Sequence, residues 1–411
     1  MSSTNLHTLS EICSLVTDGT HDSPSLQSTG VPFIKGKHIN SGRVDFDNCD
    51  FISEQDHEKC IRRVKPEKND VLVANIGASI GDCARVEVDI DFSIKNVALL
   101  RPDPKKIDAT YFFHLVKSSS FQGRLRNQRL GAAQPYISLE AFRALKVPVV
   151  IGRAIQSKIG SIASSYDDLI ENNRRRIALL EQAARLLYRE WFIHLRFPGH
   201  EHVKITNGLP EGWEHCLVGD LADIIRGKSY SSAELVEADG QPFINLKCIE
   251  RFGGFRISGL KGFKGAHKEQ HLAGPGSIMI AVTDMTREAM IVAQAARIPK
   301  SVGENAIFSM DLVKAVPKDG IEPEWLYGML RFSRFSAEVR EEATGATVLH
   351  LKPKAIENWV ATLPSAMLRG LFAEQVAEIA DQTDNLLVQN QKLAQARDLL
   401  LPRLMNGEIA V

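Results

Sequence analysis

The chain carries its own pattern twice. Gly30-Val-Pro32-Phe33-Ile34-Lys35-Gly-Lys37-His-Ile39 returns as Gly240-Gln-Pro242-Phe243-Ile244-Asn-Leu-Lys247-Cys-Ile249. Ile107-Asp108, Tyr111, Phe112 and Phe121 return as Ile321-Glu322, Trp325, Leu326 and Phe335, and Gly131-Ala132 as Gly345-Ala346. The offset is 210 at Gly30/Gly240 and 214 at the later matches, so only small insertions separate the copies. Solenoid units run to tens of residues. A repeat of this length predicts two whole domains of one fold, and a duplicated binding domain suits a partner that offers two similar sites.

Each copy predicts a mixed α+β globule of roughly 150 residues, the usual size of one domain. A short amphipathic segment opens it, Leu9–Val16 or Val218–Ile225. Branched, turn-bounded runs then read as buried strands: Pro32–Ile34 and Val71–Ala74, matched by Pro242–Ile244 and Ile278–Val282. Asn96–Pro102 faces Asp311–Pro317 as the next matched element. A helix is expected around Tyr111, Phe112, Leu115 and Val116, with its twin around Trp325, Leu326, Met329 and Leu330. A second helix starts at Ser138, an N-cap residue type, and its counterpart has Pro353 in the first turn, where a missing N–H is harmless. Both copies close on proline, Pro148 and Pro364.

The segment after each globule differs in character. Ile159, Ile162, Tyr166, Leu169, Asn173, Leu180, Ala183 and Leu187 recur at 3-4 spacing, as do Val376, Ile379, Thr383, Leu386, Asn390, Leu393, Arg397 and Leu400. That is a coiled-coil seam, in which a buried Asn fixes register at a cost in stability. Asn173 and Asn390 are the expected register pair. Equivalent helices of a duplicated unit pair most simply about a pseudo-two-fold axis, hence antiparallel. A helix of about 40 residues is about 60 Å long, so the pair is expected to hold the globules apart as a ruler. The expected divisions are 1–150 and 197–364 for the globules, 151–196 and 365–411 for the helices. Two unrelated amphipathic helices, each packed on its own globule, are the plain alternative.

Composition narrows the setting. With 44% apolar content over 411 residues the chain can bury two cores. No apolar stretch is long enough to span a bilayer. Met1-Ser-Ser-Thr-Asn opens without a signal-peptide pattern, and the six cysteines show no CxxC spacing. Reduced thiols and a cytoplasmic location are expected. Fifty basic and fifty acidic residues cancel, so any nucleic-acid binding must come from local charge. There is no phosphate loop, no zinc motif and no Asn-Pro-Pro-aromatic methyltransferase motif; Gly77-Ala-Ser-Ile-Gly81 reads as a turn. No catalytic residue and no metal ligand set is predicted.

The layout of globule, long helix, globule, long helix resembles the specificity (S) subunit of type I restriction-modification enzymes. So do Thr17-Asp18-Gly19-Thr20-His21-Asp22-Ser23-Pro24, Gly131-Ala-Ala-Gln134 with Ile137 and Val147-Pro148, Glu171-Asn172-Asn173, and Leu401-Pro402-Arg403-Leu404-Met405-Asn406-Gly407-Glu408-Ile409. The copies depart from one another where Arg226-Gly227-Lys228-Ser229 replaces the Asp-Gly-Thr-His turn and Val348 replaces Gln134. The resemblance implies an α+β fold in which two duplicated target recognition domains are separated by two long helices forming an antiparallel coiled coil. It implies a noncatalytic subunit that reads a split sequence in double-stranded DNA. Modification (methyltransferase) subunits and an ATP-dependent restriction subunit would be its partners, and S-adenosylmethionine, ATP and Mg2+ would belong to those partners.

Base and phosphate contacts need Arg, Lys, Asn, Gln, Ser or Thr on loops. The candidates are Thr17, Thr20, His21, Lys35, Lys37, Arg124, Arg126, Arg129 and Gln134 in the first copy. In the second they are Arg226, Lys228, Ser229, Lys247, Lys264, Lys268, Thr347 and His350. Phe121–Arg129 holds three arginines and no acid, whereas its twin Phe335–Thr344 holds Glu338, Glu341 and Glu342. Two other functional classes stay open on sequence alone: a coiled-coil scaffold that binds proteins, and a nuclease or methyltransferase with an unrecognised motif.

Overall fold

A computed structural model describes residues 4–40, 42–77, 79–131, 135–237, 239–285, 289–345, 348–409 and 411. The chain divides into two compact units, Met1–Ile170 with Lys392–Val411, and Glu171–Gln391. Each unit joins a globule to part of both long helices.

In the first unit, Thr4–Thr8 pairs antiparallel with Lys146–Val150, so the globule's two ends are tied together. A four-stranded antiparallel sheet has the order Cys13–Asp18, Val97–Pro102, Val71–Ala74, Cys83–Arg85. Val31–Lys35 is the centre of a three-stranded sheet, antiparallel to Asp50–Ile52 and parallel to Ser93–Lys95. Val71, Leu72, Val73 and Ala74 are all buried, because layers cover both faces of this short run. Helices Ala109–Lys117, Ser119–Arg126 and Leu139–Ala144 start on side-chain caps, with Asp108, Ser118 and Ser138 accepting from Tyr111, Phe121 and Ala141 N–H groups. Each cap supplies a partner for a backbone donor that the first helical turn leaves unpaired. The main core gathers Tyr111, Phe112, Phe121 and Phe142 with Ile159 and Ala163 of the first long helix and Leu401, Leu404 and Met405 of the second.

The second unit repeats the end-pairing strands and the four-stranded sheet in the same order. Glu214–Leu217 pairs with Val360–Leu363, and the four-stranded sheet runs Ala222–Arg226, Leu312–Pro317, Ile278–Ala281, Ala295–Arg297. Gln241–Ile244 again lies parallel to a later strand, Ala306–Phe308, within a sheet enlarged to five strands. Helices Pro323–Phe332 and Pro353–Glu357 stand where their sequence twins do, with proline in the first turn of each. The opening amphipathic segments prove composite: one helical turn, Leu9–Ile12 or Val218–Leu221, runs straight into the first sheet strand.

The first long helix spans Arg153–Tyr188 and continues as a π-helical turn, Arg189–Ile193; the second spans Ala366–Met405. In the second unit Asn173 Nδ2 donates to Asn390 Oδ1 at 3.0 Å, and Tyr188 packs edge-on against Phe372, so the two segments run antiparallel there. One expected seam row is corrected. Ile159, Tyr166, Asn173, Leu180 and Leu187 turn inward and Ile162 packs half-buried against the core, but the buried companions are Ala163, Ile170 and Ala184, and Leu169 and Ala183 are exposed. Leu169 is 51% exposed and Ile170 7%. The buried step after Ile159, Tyr166 and Leu180 is four positions and not three, a phase that the larger aliphatic side chain at 169 disguises.

Polar clamps fix each globule to the helix segments of its own unit. Gln156 accepts from Asp108 N–H at 2.9 Å and donates to the Val150 carbonyl at 2.7 Å. Arg369 fills the matching place, bonding Glu322, the Pro364 carbonyl and the Gly320 carbonyl. Asp167 collects Lys117 at 2.7 Å and also Arg397. Burial alone would raise the Asp167 carboxyl, but the two cations outweigh it and hold the pKa below the usual value. Asp384, at the position equivalent to Asp167, takes Arg297 at 2.9 Å. Gly160 needs its missing side chain: a Cβ there would stand 2.7 Å from the Tyr111 amide nitrogen.

Candidate nucleic-acid interface

The turns after the first sheet strand are one structure in two sequences. Gly19 lies against the Ile94 carbonyl and Gly227 against the Ser309 carbonyl so closely that no Cβ fits at either. Thr20 N–H then donates to Ile94 at 3.0 Å and Lys228 N–H to Phe308 at 2.8 Å. Parallel bridges come next, Thr20 with Lys95 and Lys228 with Ser309. The glycine is needed for the close approach, and the neighbouring residues are free to differ. A lysine and a hydroxyl residue meet at each bridge, with the lysine on opposite strands in the two copies.

Protein contacts already occupy several first-copy candidates. Thr17 sits half-buried in the sheet opposite Leu99, and buried Thr20 accepts from Asp22 N–H at 3.1 Å. His21 is exposed, held by Asn96 at 2.9 Å and Asp18 at 3.3 Å. Lys35 and Lys37 reach one carboxylate, Asp50, at 2.8 and 3.2 Å. Burial pushes the Asp50 carboxyl up, and hydrogen bonds from the two lysines more than reverse it, leaving its pKa lowered. Lys95, which sequence reading missed, bonds Ser23 and pairs in register with Lys35. The signal was there in the strand pairing, which one sequence does not disclose.

Helix Ser119–Arg126 buries Phe121 and Leu125 and turns Arg124 and Arg126 outward, with Arg129 exposed just past its end. Arg124, Arg126 and Arg129 make no side-chain hydrogen bond or ion pair with a described residue. In the twin helix Phe335–Val339, Glu338 accepts from Trp359 Nε1 at 2.9 Å. Beyond the arginines the chain doubles back: Leu130 pairs with Tyr136, Tyr136 with Ile76, and Gly77 N–H donates to Pro135 at 2.9 Å. The glycine turn at Gly77 and the Gly131 loop, far apart in sequence, thus meet. In the second unit Thr344 and His350 exchange backbone bonds of 3.0 and 2.8 Å, and Thr283–Asp284 pairs with Leu349–His350. Gln134 and Thr347 lie outside the described residues.

The remaining second-copy candidates among the described residues occupy four places. Arg226 and Ser229 are exposed around the glycine turn, with Lys228 half-buried between them. Lys247 is exposed on the 3-10 turn after Gln241–Ile244. Lys264 and Lys268 are exposed on the segment leaving strand Lys261–Phe263, and His350 is exposed on its own short strand. No grouping of His, Cys, Asp and Glu among the described residues suits a metal ion. The arrangement offers cations and hydroxyls on loops at equivalent places of two like globules, suited to phosphates and base edges.

Comparison with known proteins shows what this chain is similar to. The type I restriction-modification DNA specificity domain matches residues 2–182. The MjaIX specificity subunit of Methanocaldococcus jannaschii is 24% identical over 373 residues, 88% of this chain and 82% of that protein. The HindI specificity subunit of Haemophilus influenzae is 21% identical over 442 residues, 90% and 94% of the two chains. Over most of its length the chain is similar to type I restriction-modification specificity subunits. The crystal structure of an S subunit from M. genitalium, 17% identical, superposes with a TM-score of 0.56 over 98% of this chain and 96% of that one, which bears on the fold. No helix among the described residues of this chain is long and apolar enough to cross a membrane. All six cysteines are free thiols.

Proposed function

We propose that the chain is a type I restriction-modification specificity subunit that reads a bipartite target in double-stranded DNA, one half-site per globule, and is itself noncatalytic. The repeated strand order carries the reading: two copies of one topology keep the same glycine-pinned turn while displaying different side chains on it. A common scaffold with divergent reading loops is what two different half-sites require. The proposed contacts in the first globule are Thr17, Thr20, His21, Lys35, Lys37, Arg124, Arg126, Arg129 and Gln134. In the second they are Arg226, Lys228, Ser229, Lys247, Lys264, Lys268, Thr347 and His350.

Modification subunits carrying S-adenosylmethionine and a restriction subunit using ATP and Mg2+ are the proposed partners, in the cytoplasm, and the paired helices are the proposed spacer. Mapping methylated adenines in the host genome, with and without the gene, tests this reading. A single split motif that disappears on deletion supports it; no motif lost would overturn it. The free arginines give a sharper measurement: Arg124→Ala or Arg129→Ala is expected to weaken DNA binding on every sequence alike and to reduce the salt-titration slope by about 1 each.

A further inference from the structure

The positive charge missing from helix Phe335–Val339 is gathered elsewhere in the second unit. A cleft of about 810 Å³ opens between the long-helix segment at Glu181–Arg185, the turn Glu250–Arg256 and the helical segment ending at Arg340. Arg185, Arg251, Arg256, Arg331 and Arg340 line it, against the carboxylates Glu181 and Glu250. Arg256 takes Glu250 at 2.5 Å and Arg331 takes Glu181 at 3.1 Å, which accounts for both acids. Arg185, Arg251 and Arg340 make no side-chain bond with a described residue. Three surplus guanidiniums in one recess, on a chain with no net charge, repel one another unless an anion enters.

The wall also carries Phe252, 81% exposed, more than any other large apolar side chain among the described residues. Arginine beside an exposed aromatic ring is the composition of protein-binding hot spots. A recess of this size suits side chains of a single polypeptide segment; a duplex is too wide to enter it and would leave Phe252 with nothing apolar to cover. The equivalent recess of the first unit, about 320 Å³, is lined by Lys117, Ser119, Gln122 and Arg126, the sequence twins of Arg331, Ser333, Ser336 and Arg340. There Asp167 engages both Lys117 and Arg397, which leaves little surplus charge. The duplication therefore made two recesses, and only the second is strongly cationic.

We propose that the Arg185–Arg251–Arg340 cleft is the docking site for an acidic, apolar-anchored segment of a partner polypeptide. The inference rests on the specificity-subunit reading only in taking the modification subunit as its probe. The full-length chain is prepared as wild type, R251E/R340E and F252A, with thermal melts to confirm folding. Each is titrated with the modification subunit, and separately with its target duplex across a salt series. Both variants are expected to lose tenfold or more in affinity for the modification subunit, R251E/R340E most at low salt, while the isolated chain's DNA affinity and salt slope stay as in wild type. Unchanged association overturns the proposal. So does a loss confined to DNA binding, which would make the cleft a phosphate site. If the wild-type chain itself neither associates with the subunit nor selects a duplex, the functional reading fails and the docking site falls with it.

Discussion

At the scale of single residues, two glycines and one histidine make strong commitments. Gly19→Ala and Gly227→Ala should each destabilise their globule by about 1–3 kcal/mol, because the new methyl meets a backbone carbonyl that no rotamer change can move. Gly123→Ala is the contrast: it lies in a helix with open space around it, and should stabilise by about 0.5–1 kcal/mol. Urea unfolding of the three variants checks both signs. His114 is buried between Ser164 at 3.0 Å and Asp167 at 3.9 Å. Burial lowers its pKa to about 4; Asp167 pulls upward, while Lys117, Arg85 and Arg397 push the same way as burial. The native state thus resists a proton that the unfolded chain accepts near pH 6.5. The stabilisation is complete above that pH and is lost as pH falls toward 4, a change on the order of 3 kcal/mol. Unfolding of wild type and His114→Phe at pH 7 and pH 4.5 should show the wild type losing more. Equal losses would refute the assignment. The role of Gly19 is half legible in sequence: the Asp-Gly-Thr turn stands out, but the carbonyl that forbids a side chain comes from Ile94, and Arg226-Gly227-Lys228 looks unrelated until Ser309 is seen in the same place.

Secondary elements were more readable than their contacts. Buried runs such as Val71–Ala74, and helices with aromatic pairs such as Tyr111-Phe112, declare themselves because one element's period is written in its own residues. The helix seam is readable in one row and only partly in the other, since exposed Leu169 is as apolar as the residues that face inward. The recognition surface was less readable still. The candidate DNA contacts come from strands and turns distant in sequence, and in the separate cleft proposed for a partner, Arg185, Arg251 and Arg340 line one recess only in three dimensions. The register pair permits a direct test. Asn173→Leu alone leaves Asn390 without its 3.0 Å partner and should cost about 1–3 kcal/mol. The double change Asn173→Leu/Asn390→Leu should recover that loss or exceed wild type, because a buried polar pair trades stability for specificity. A double-mutant cycle by chemical unfolding measures the coupling, and a value of zero would deny the pair its role.

At the scale of the whole chain, two long helices, ~54 and ~60 Å at 1.5 Å per residue, each contribute to both units. If they set the spacing between half-sites, inserting seven residues into each, at matched heptad positions, should lengthen the unread spacer by about 3 base pairs at 3.4 Å per pair. Methylation mapping would show both half-words unchanged, and an unaltered spacer would contradict the ruler. The division of the chain also dictates an order of assembly. Glu171–Gln391 is one uninterrupted stretch, able to close its core while synthesis continues. The other core waits for Leu401, Leu404 and Met405, which leave the ribosome on the order of tens of seconds after residue 170 at ordinary elongation rates. During that interval the core lacks Leu401, Leu404 and Met405, so a nascent chain stalled before residue 392 should be the form that chaperones hold and proteases cut.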